Sequence, residues 1–152
     1  MANYYHGTKA KFTKFTKLGS GMHGPGFYFT PDKSEARYFA KSLAGDGSAG
    51  PPIIYEVELS FSNPYHTMSV ECADLVAKAN GFKYKVPAVV GGAKEHFHHL
   101  RKQMKKLGLI DGESGFNTAI KEAGFDCIQY EMMDHIIIFD SSKIRIVNIH
   151  DV

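Results

Sequence analysis

The stretch Gly24-Pro25-Gly26-Phe27-Tyr28-Phe29-Thr30-Pro31-Asp32 constrains this chain most. Two glycines one residue apart allow a tight turn and let another molecule approach the backbone closely. Three aromatics in a row suit a pleated surface, so Phe27 to Phe29 reads as a short strand. Thr30-Pro31 then predicts a helix entry, a hydroxyl cap followed by proline at the first helical position. The helix beyond it puts Ala36, Phe39, Ala40 and Leu43 on one stripe and leaves Tyr38 off it, free to face a cleft. A glycine-bounded strand feeding a helix, with an aromatic on each, suits the wall of a site for a flat ligand. A hairpin and helix in an ordinary core is the alternative.

At 152 residues, 43% hydrophobic and 22% charged, the composition predicts one globular domain over 1–152. A net charge of +2 is too small to imply a nucleic-acid protein by itself. Eleven Phe and eight Tyr supply many flat apolar platforms. Cys72 and Cys127 lack CxxC spacing, so neither a zinc site nor a disulfide framework is indicated, and a reduced, cytoplasmic compartment is expected. The polar N-terminus has no signal-peptide core, and no apolar run approaches membrane-spanning length. A soluble protein with no membrane partner is therefore expected.

In chain order, Ala2 to His6 reads as a strand that Gly7 ends. Lys9 to Lys17 reads as a loop laid on the core by Phe12 and Phe15, and Leu18 to Gly26 as a flexible loop holding His23. The helix after Pro31 is expected to fray near Ala44-Gly45, and Gly45 to Pro52 to be a connection. Ile53 to Phe61 is the clearest strand: Tyr55, Val57, Leu59 and Phe61 alternate with Glu56, Glu58 and Ser60. Asn63-Pro64 ends it. Ser69 to Asn80 reads as a helix with Cys72, Ala73, Val76 and Ala79 inward, closed by Gly81. Pro87 to Gly92 is a loop. Ala93 to Leu107 is an amphipathic helix with Phe97, Leu100, Met104 and Leu107 as its seam and Lys, Arg and His on its other faces. Phe116 to Ala123 reads as a short helix, Phe125 to Glu131 and His135 to Asp140 as strands joined by a turn, and Lys143 to Ile149 as a last strand. Strands at both ends with helices grouped between them predict an α+β fold.

Three pieces stand in a telling order: Tyr5-His6-Gly7-Thr8, then Gly26-Phe27-Tyr28-Phe29-Thr30 with Tyr38, then an acidic strand end near Glu131. With the tail Ile136-Ile137-Ile138-Phe139-Asp140-Ser141-Ser142-Lys143-Ile144, they resemble the ADP-ribosyltransferase superfamily. The likeness is to its His-Tyr-acid branch, which includes the poly-ADP-ribose polymerases and many toxin and phage domains, and it covers nearly the whole chain. It implies two packed, mostly antiparallel sheets with flanking helices, split by a cleft that binds NAD as substrate. It also implies that His6 bonds the adenosine ribose and that Gly7, beside Thr8, pairs its main chain with the nicotinamide carboxamide. Tyr28, following Gly26, and Tyr38 would sandwich the nicotinamide ring. An imidazole can bond a ribose hydroxyl and phenol rings can stack on a planar cation, so these residue types suit the roles.

The acid is where the sequence departs from that pattern. Glycosyl transfer from NAD passes through an oxocarbenium-like ribose that a nearby carboxylate stabilises. In the polymerases a glutamate opens the strand corresponding to the one that ends here in Phe139-Asp140, and that register holds His135. Glu131, which shares a strand face with Gln129 and resembles the Gln-x-Glu of toxin relatives, is the first choice for the carboxylate. Asp134 is the second. Both are otherwise solvated turn residues of an inactive domain.

The functional expectation is a mono-ADP-ribosyltransferase that releases nicotinamide and modifies a macromolecule, with protein placed ahead of nucleic acid. Mono rather than poly follows from the short chain and the missing glutamate register. A binding module without turnover and an NAD glycohydrolase are the alternatives. The basic face of Ala93 to Leu107 is either a solvated surface or a docking face for the acceptor. His96, His98 and His99 make no metal site without an acid or cysteine at helical spacing. Oligomeric state is not legible.

Overall fold

The computed structural model describes residues 3–9, 12, 14–15, 19–21, 24–42, 50–88, 95–131 and 134–152. In chain order they form β1 (Asn3–Thr8), β2 (Gly19–Gly21), β3 (Gly24–Phe29), α1 (Lys33–Lys41), β4 (Ile53–Leu59) and β5 (Pro64–His66). There follow α2 (Val70–Ala79), α3 (Glu95–Lys106), α4 (Glu113–Glu122), β6 (Cys127–Tyr130), β7 (His135–Ile138), a 3₁₀ turn over Ser141–Lys143, and β8 (Ile144–Asp151). The readings that fall on residues 1–2, 10–11, 13, 16–18, 22–23, 43–49, 89–94 and 132–133 lie outside the described residues.

The strands form a three-stranded sheet, β1-β4-β8, and a five-stranded sheet, β2-β3-β7-β6-β5. Every pairing is antiparallel except β5 with β6. This is the α+β, two-sheet ADP-ribosyltransferase-like architecture expected from the sequence. Among the described residues, one isolated backbone bridge joins the edges of the two sheets: Tyr5 N–H donates to the Thr30 carbonyl (2.7 Å), and Thr30 N–H returns the bond to Tyr5 (3.0 Å).

Strand alternation sorts the apolar residues to two faces. Phe27, Phe29, Cys127, Ile136 and Ile138 of the larger sheet meet Ile53, Tyr55, Val57 and Leu59 of the smaller one, with Phe15 between them. On the opposite face, Ile128, Tyr130 and Ile137 lie under α2, α3 and α4, whose Ala73, Val76, Phe97, Leu100, Met104, Phe116 and Ile120 are buried. The other face of the smaller sheet is covered by α1, through Ala36 and Ala40 against Ile54 and Tyr5. Because Tyr5 pairs with Thr30, the α1 layer and the α2–α4 layer lie on one continuous face. Their boundary falls over the end of β3.

Several expectations shift by local chemistry. Thr30 does not cap α1, because its backbone is extended and paired with Tyr5. Asp32 caps instead, accepting from Ser34 N–H at 2.8 Å. Gly7 does not end its strand, since β1 continues to Thr8 along β4. The stretch read as a flexible loop contains β2 and the start of β3, with Gly19 opposite Gly26. Pro64 opens β5 rather than only closing β4; as an edge strand, β5 tolerates a residue without an N–H. Ala77 rather than Ala79 faces inward on α2, and Leu107 lies past the end of α3, 56% exposed. The helix α4 begins at Glu113, ahead of Phe116. Among the described residues, no helix is long and apolar enough to cross a membrane.

Candidate active site

The sheets part beside Gly7. Tyr5 turns both main-chain groups toward Thr30, and the two-residue period of antiparallel pairing turns those of Gly7 to the same edge. By the same period Tyr28, two residues before Thr30, turns its own groups toward β1. Among the described residues, the β1–β3 ladder is nevertheless confined to the Tyr5–Thr30 bridge. Where a second rung would form, His6 Nδ1–H donates to the Tyr28 carbonyl at 2.8 Å. A carbonyl can only accept, so this bond places the proton on Nδ1, and in the neutral ring the lone pair falls on Nε2. The imidazole is held edge-on to Phe15 (centroids 5.2 Å apart) and tilted against Phe29 (5.8 Å).

Gly7 has a reason to be glycine that needs no ligand. A Cβ there would stand 1.8 Å from the Ala36 carbonyl oxygen and 2.8 Å from Ala40 N, so α1 rests directly on the β1 backbone. Gly26 is similar: its φ is +156° and a Cβ would meet Ile137 Cγ2 at 2.3 Å. Thr8, at the end of β1, is buried.

Tyr28 is half-buried against the α2–α4 core. Tyr38 is 71% exposed, and its ring meets that of Phe39 at 5.8 Å. Phe39, expected on the buried stripe with Ala36 and Ala40, is 39% exposed and stands edge-on to the His135 ring at 5.9 Å.

One carboxylate is bonded directly into this group, and sequence reading passed over it. Glu35, on the first turn of α1, accepts at Oε1 from His135 Nε2–H and at Oε2 from the Thr30 hydroxyl (3.2 Å). The last pair of the β3–β7 register is Phe29 with Ile136, and Thr30 and His135 are the next residue on each strand. His135 is buried and Glu35 partly exposed. Glu131 stands elsewhere. It follows β6, accepts from Met68 N–H at 3.2 Å and lies 3.8 Å from His66 Nδ1, on the β5 side of the sheet and two strands from β3. Asp134, with φ +55°, is exposed at the turn into β7. It sits near enough to Tyr4 that burial first, and the Asp134 carboxylate second, hold the Tyr4 phenol above its usual range. The structure therefore gathers His6, Gly7, Tyr28, Thr30, Glu35, Phe39 and His135 around the parting of β1 and β3. Glu131 is set apart. The signal for Glu35 was present as an acid five residues after Thr30, but only packing shows that α1 turns it toward β7.

On α3 the exposed cations include Lys102, Lys105 and Lys106, while His96 pairs with the Tyr84 hydroxyl and His98 with Arg101.

No curated protein and no solved structure matches the chain. The family model described as ADP-ribosyltransferase in polyvalent proteins matches residues 2–150. With nearly every residue inside that match, the chain belongs to the family of ADP-ribosyltransferase domains in polyvalent proteins.

Proposed function

We propose that this domain binds NAD where β1 and β3 part and transfers a single ADP-ribosyl unit to a macromolecular acceptor, a protein ahead of a nucleic acid. The observation that carries this reading is the interrupted ladder beside Gly7: the main-chain groups of Gly7 turned to the edge facing β3, with His6 fixed beside them on the Tyr28 carbonyl. A planar carboxamide carries one acceptor and one donor side, which suits pairing with a strand edge of this kind. The Nε2 lone pair of His6 suits a ribose hydroxyl, and the Tyr28 and Tyr38 rings suit the faces of a nicotinamide. Phe39, beside His135, supplies a further apolar edge.

In the reaction, the bond between ribose C1′ and the nicotinamide ring nitrogen breaks, and its electron pair leaves with the ring. The acceptor's lone pair forms the new bond to C1′ and its proton is lost to solvent or a base. The exposed Lys102, Lys105 and Lys106 give α3 a cationic face suited to docking an acidic acceptor. A cytoplasmic setting suits the two buried, free thiols Cys72 and Cys127.

The test is incubation of the protein with labelled NAD and whole-cell lysate, following nicotinamide release and the species that acquires label. Label on a macromolecule together with released nicotinamide is expected. Release without label would make water the acceptor, and NAD binding without release would make the domain a binding module. Reversing Lys102, Lys105 and Lys106 to Glu is expected to lower labelling more than nicotinamide release, most clearly at low salt. Equal losses in the two readouts would leave α3 a solvated surface.

A further inference from the structure

We propose that Glu35 of α1 is the carboxylate that faces the ribose in this domain, and that His135 is its positioning residue. The assignment rests on the transferase reading above and moves the acid from a strand of the sheet to a helix. Four observations carry it. Tyr28 and Thr30 lie two residues apart and so share one face of β3. His135 is the residue next to the last β3–β7 pair, as Thr30 is on β3, and by alternation it shares a face with Ile137, the partner of Tyr28, both of which pack into the same core. Glu35 is tied to both: one carboxylate oxygen accepts from His135 Nε2–H, the other from the Thr30 hydroxyl. Thr30 itself makes the bridge to Tyr5 at which the two sheets join, one rung from Gly7.

This placement sets the negative charge about one strand step, roughly 7 Å, along β3 from Tyr28. Two fixed donors orient it, and its side chain stays 30% exposed and so reachable by a ligand. A carboxylate held in this way needs little reorganisation when positive charge develops on a neighbouring ribose. It would also accept from a ribose hydroxyl with lone pairs that the two donors leave available. The histidine at the start of β7 then has a definite use: it cannot replace a permanently ionised acid, but its N–H can hold one that arrives from α1. Glu131, turned to the Met68 amide and the His66 side of the sheet, has no such relation to Tyr28.

The experiment compares nicotinamide release, NAD affinity and thermal unfolding for the wild type, Glu35→Gln, Glu35→Asp, Glu131→Gln, His135→Ala and His135→Gln. Glu35→Gln keeps the shape and one acceptor oxygen for His135, and its amide N–H can donate to the Thr30 hydroxyl, which accepts as readily as it donates, so its melting temperature should stay close to wild type. Its kcat should fall by about 10²–10³-fold, with NAD affinity changed by less than about threefold, because the charge acts mainly in the transition state. Glu35→Asp keeps the charge but withdraws it by one methylene, and should fall between the two. His135→Ala should lower kcat, and His135→Gln, which can still donate to the carboxylate, should recover part of the loss. A purely structural tie would move melting temperature and not show that rescue. A wild type that cleaves NAD with Glu35→Gln keeping pace overturns this assignment alone, as does a larger loss in Glu131→Gln than in Glu35→Gln. A wild type that binds NAD but never cleaves it overturns the transferase reading, and this assignment with it.

Discussion

His6 reaches across from β1 to the Tyr28 carbonyl, with Nδ1–H donating at 2.8 Å at the position where a strand rung is missing. The imidazole both closes the end of the β1–β3 ladder and sets its own tautomer. Replacing His6 by Ala is expected to weaken NAD binding by about 2–10-fold, the worth of one ordinary hydrogen bond. Isothermal titration of the folded variant checks it. Wild-type affinity would remove His6 from the NAD site.

Tyr28 and Tyr38 separate by burial. Tyr28 is packed against the α2–α4 core, so Tyr28→Ala should destabilise the domain by about 2–4 kcal/mol in addition to any effect on NAD. Tyr28→Leu, which keeps most of the packing, is the better probe of ring stacking. Tyr38 is largely exposed, and Tyr38→Ala should change stability by less than about 0.5 kcal/mol. If its ring closes over the nicotinamide, the same variant loses about 0.5–1.5 kcal/mol of NAD binding. Unchanged NAD affinity in both Tyr28→Leu and Tyr38→Ala would discard the ring sandwich.

Gly7→Ala is expected to be severe. The added methyl would overlap the Ala36 carbonyl, which is helix backbone and cannot rotate away as a side chain would. Overpacking of this kind costs about 1–3 kcal/mol or more. Chemical denaturation should show the loss even without NAD. A Gly7→Ala protein as stable as wild type would mean that α1 does not rest on β1 as described.

Asp126 offers a test by pH. Its carboxylate accepts from Ser62 N–H (2.7 Å), the Ser62 hydroxyl (3.3 Å) and Asn63 N–H (3.0 Å), clamping the turn before β5 to the start of β6. Partial burial works against its charge, but these donors outweigh it and hold the carboxyl below its usual value. A group with a lowered folded pKa stabilises above its unfolded value, near pH 4, and loses that contribution as pH falls through the folded one. Asp126→Asn should therefore cost about 1–2 kcal/mol at pH 7. The gap from wild type should shrink below about pH 4. A gap that persists unchanged to pH 2 would rule out the charge as its source.

Much of this molecule is local and so was legible residue by residue. The alternation of Tyr55, Val57 and Leu59 marks β4, Ser69 and Gly81 bracket α2, and Phe97, Leu100 and Met104 mark the buried seam of α3. These signals depend only on strand and helix periods and on capping chemistry, which neighbouring residues determine. The ordered motifs His6-Gly7-Thr8 and Gly26-Phe27-Tyr28-Phe29 were likewise enough to indicate the family. Short edge elements escaped, because β2 and β5 have three residues each and depend for their existence on the strands beside them.

The arrangement around the gap belongs to the tertiary structure. Sequence distance made Glu131 and Asp134 the natural acids for a strand that opens with His135. The sheet order instead puts Glu131 against β5, and the helix leaving Thr30 folds Glu35 back onto His135, one hundred residues away in the chain. No period or motif encodes that contact. It follows from α1 being able to lie on β1 at all, which the missing Cβ of Gly7 permits, and from the Tyr5–Thr30 bridge that fixes where the helix begins.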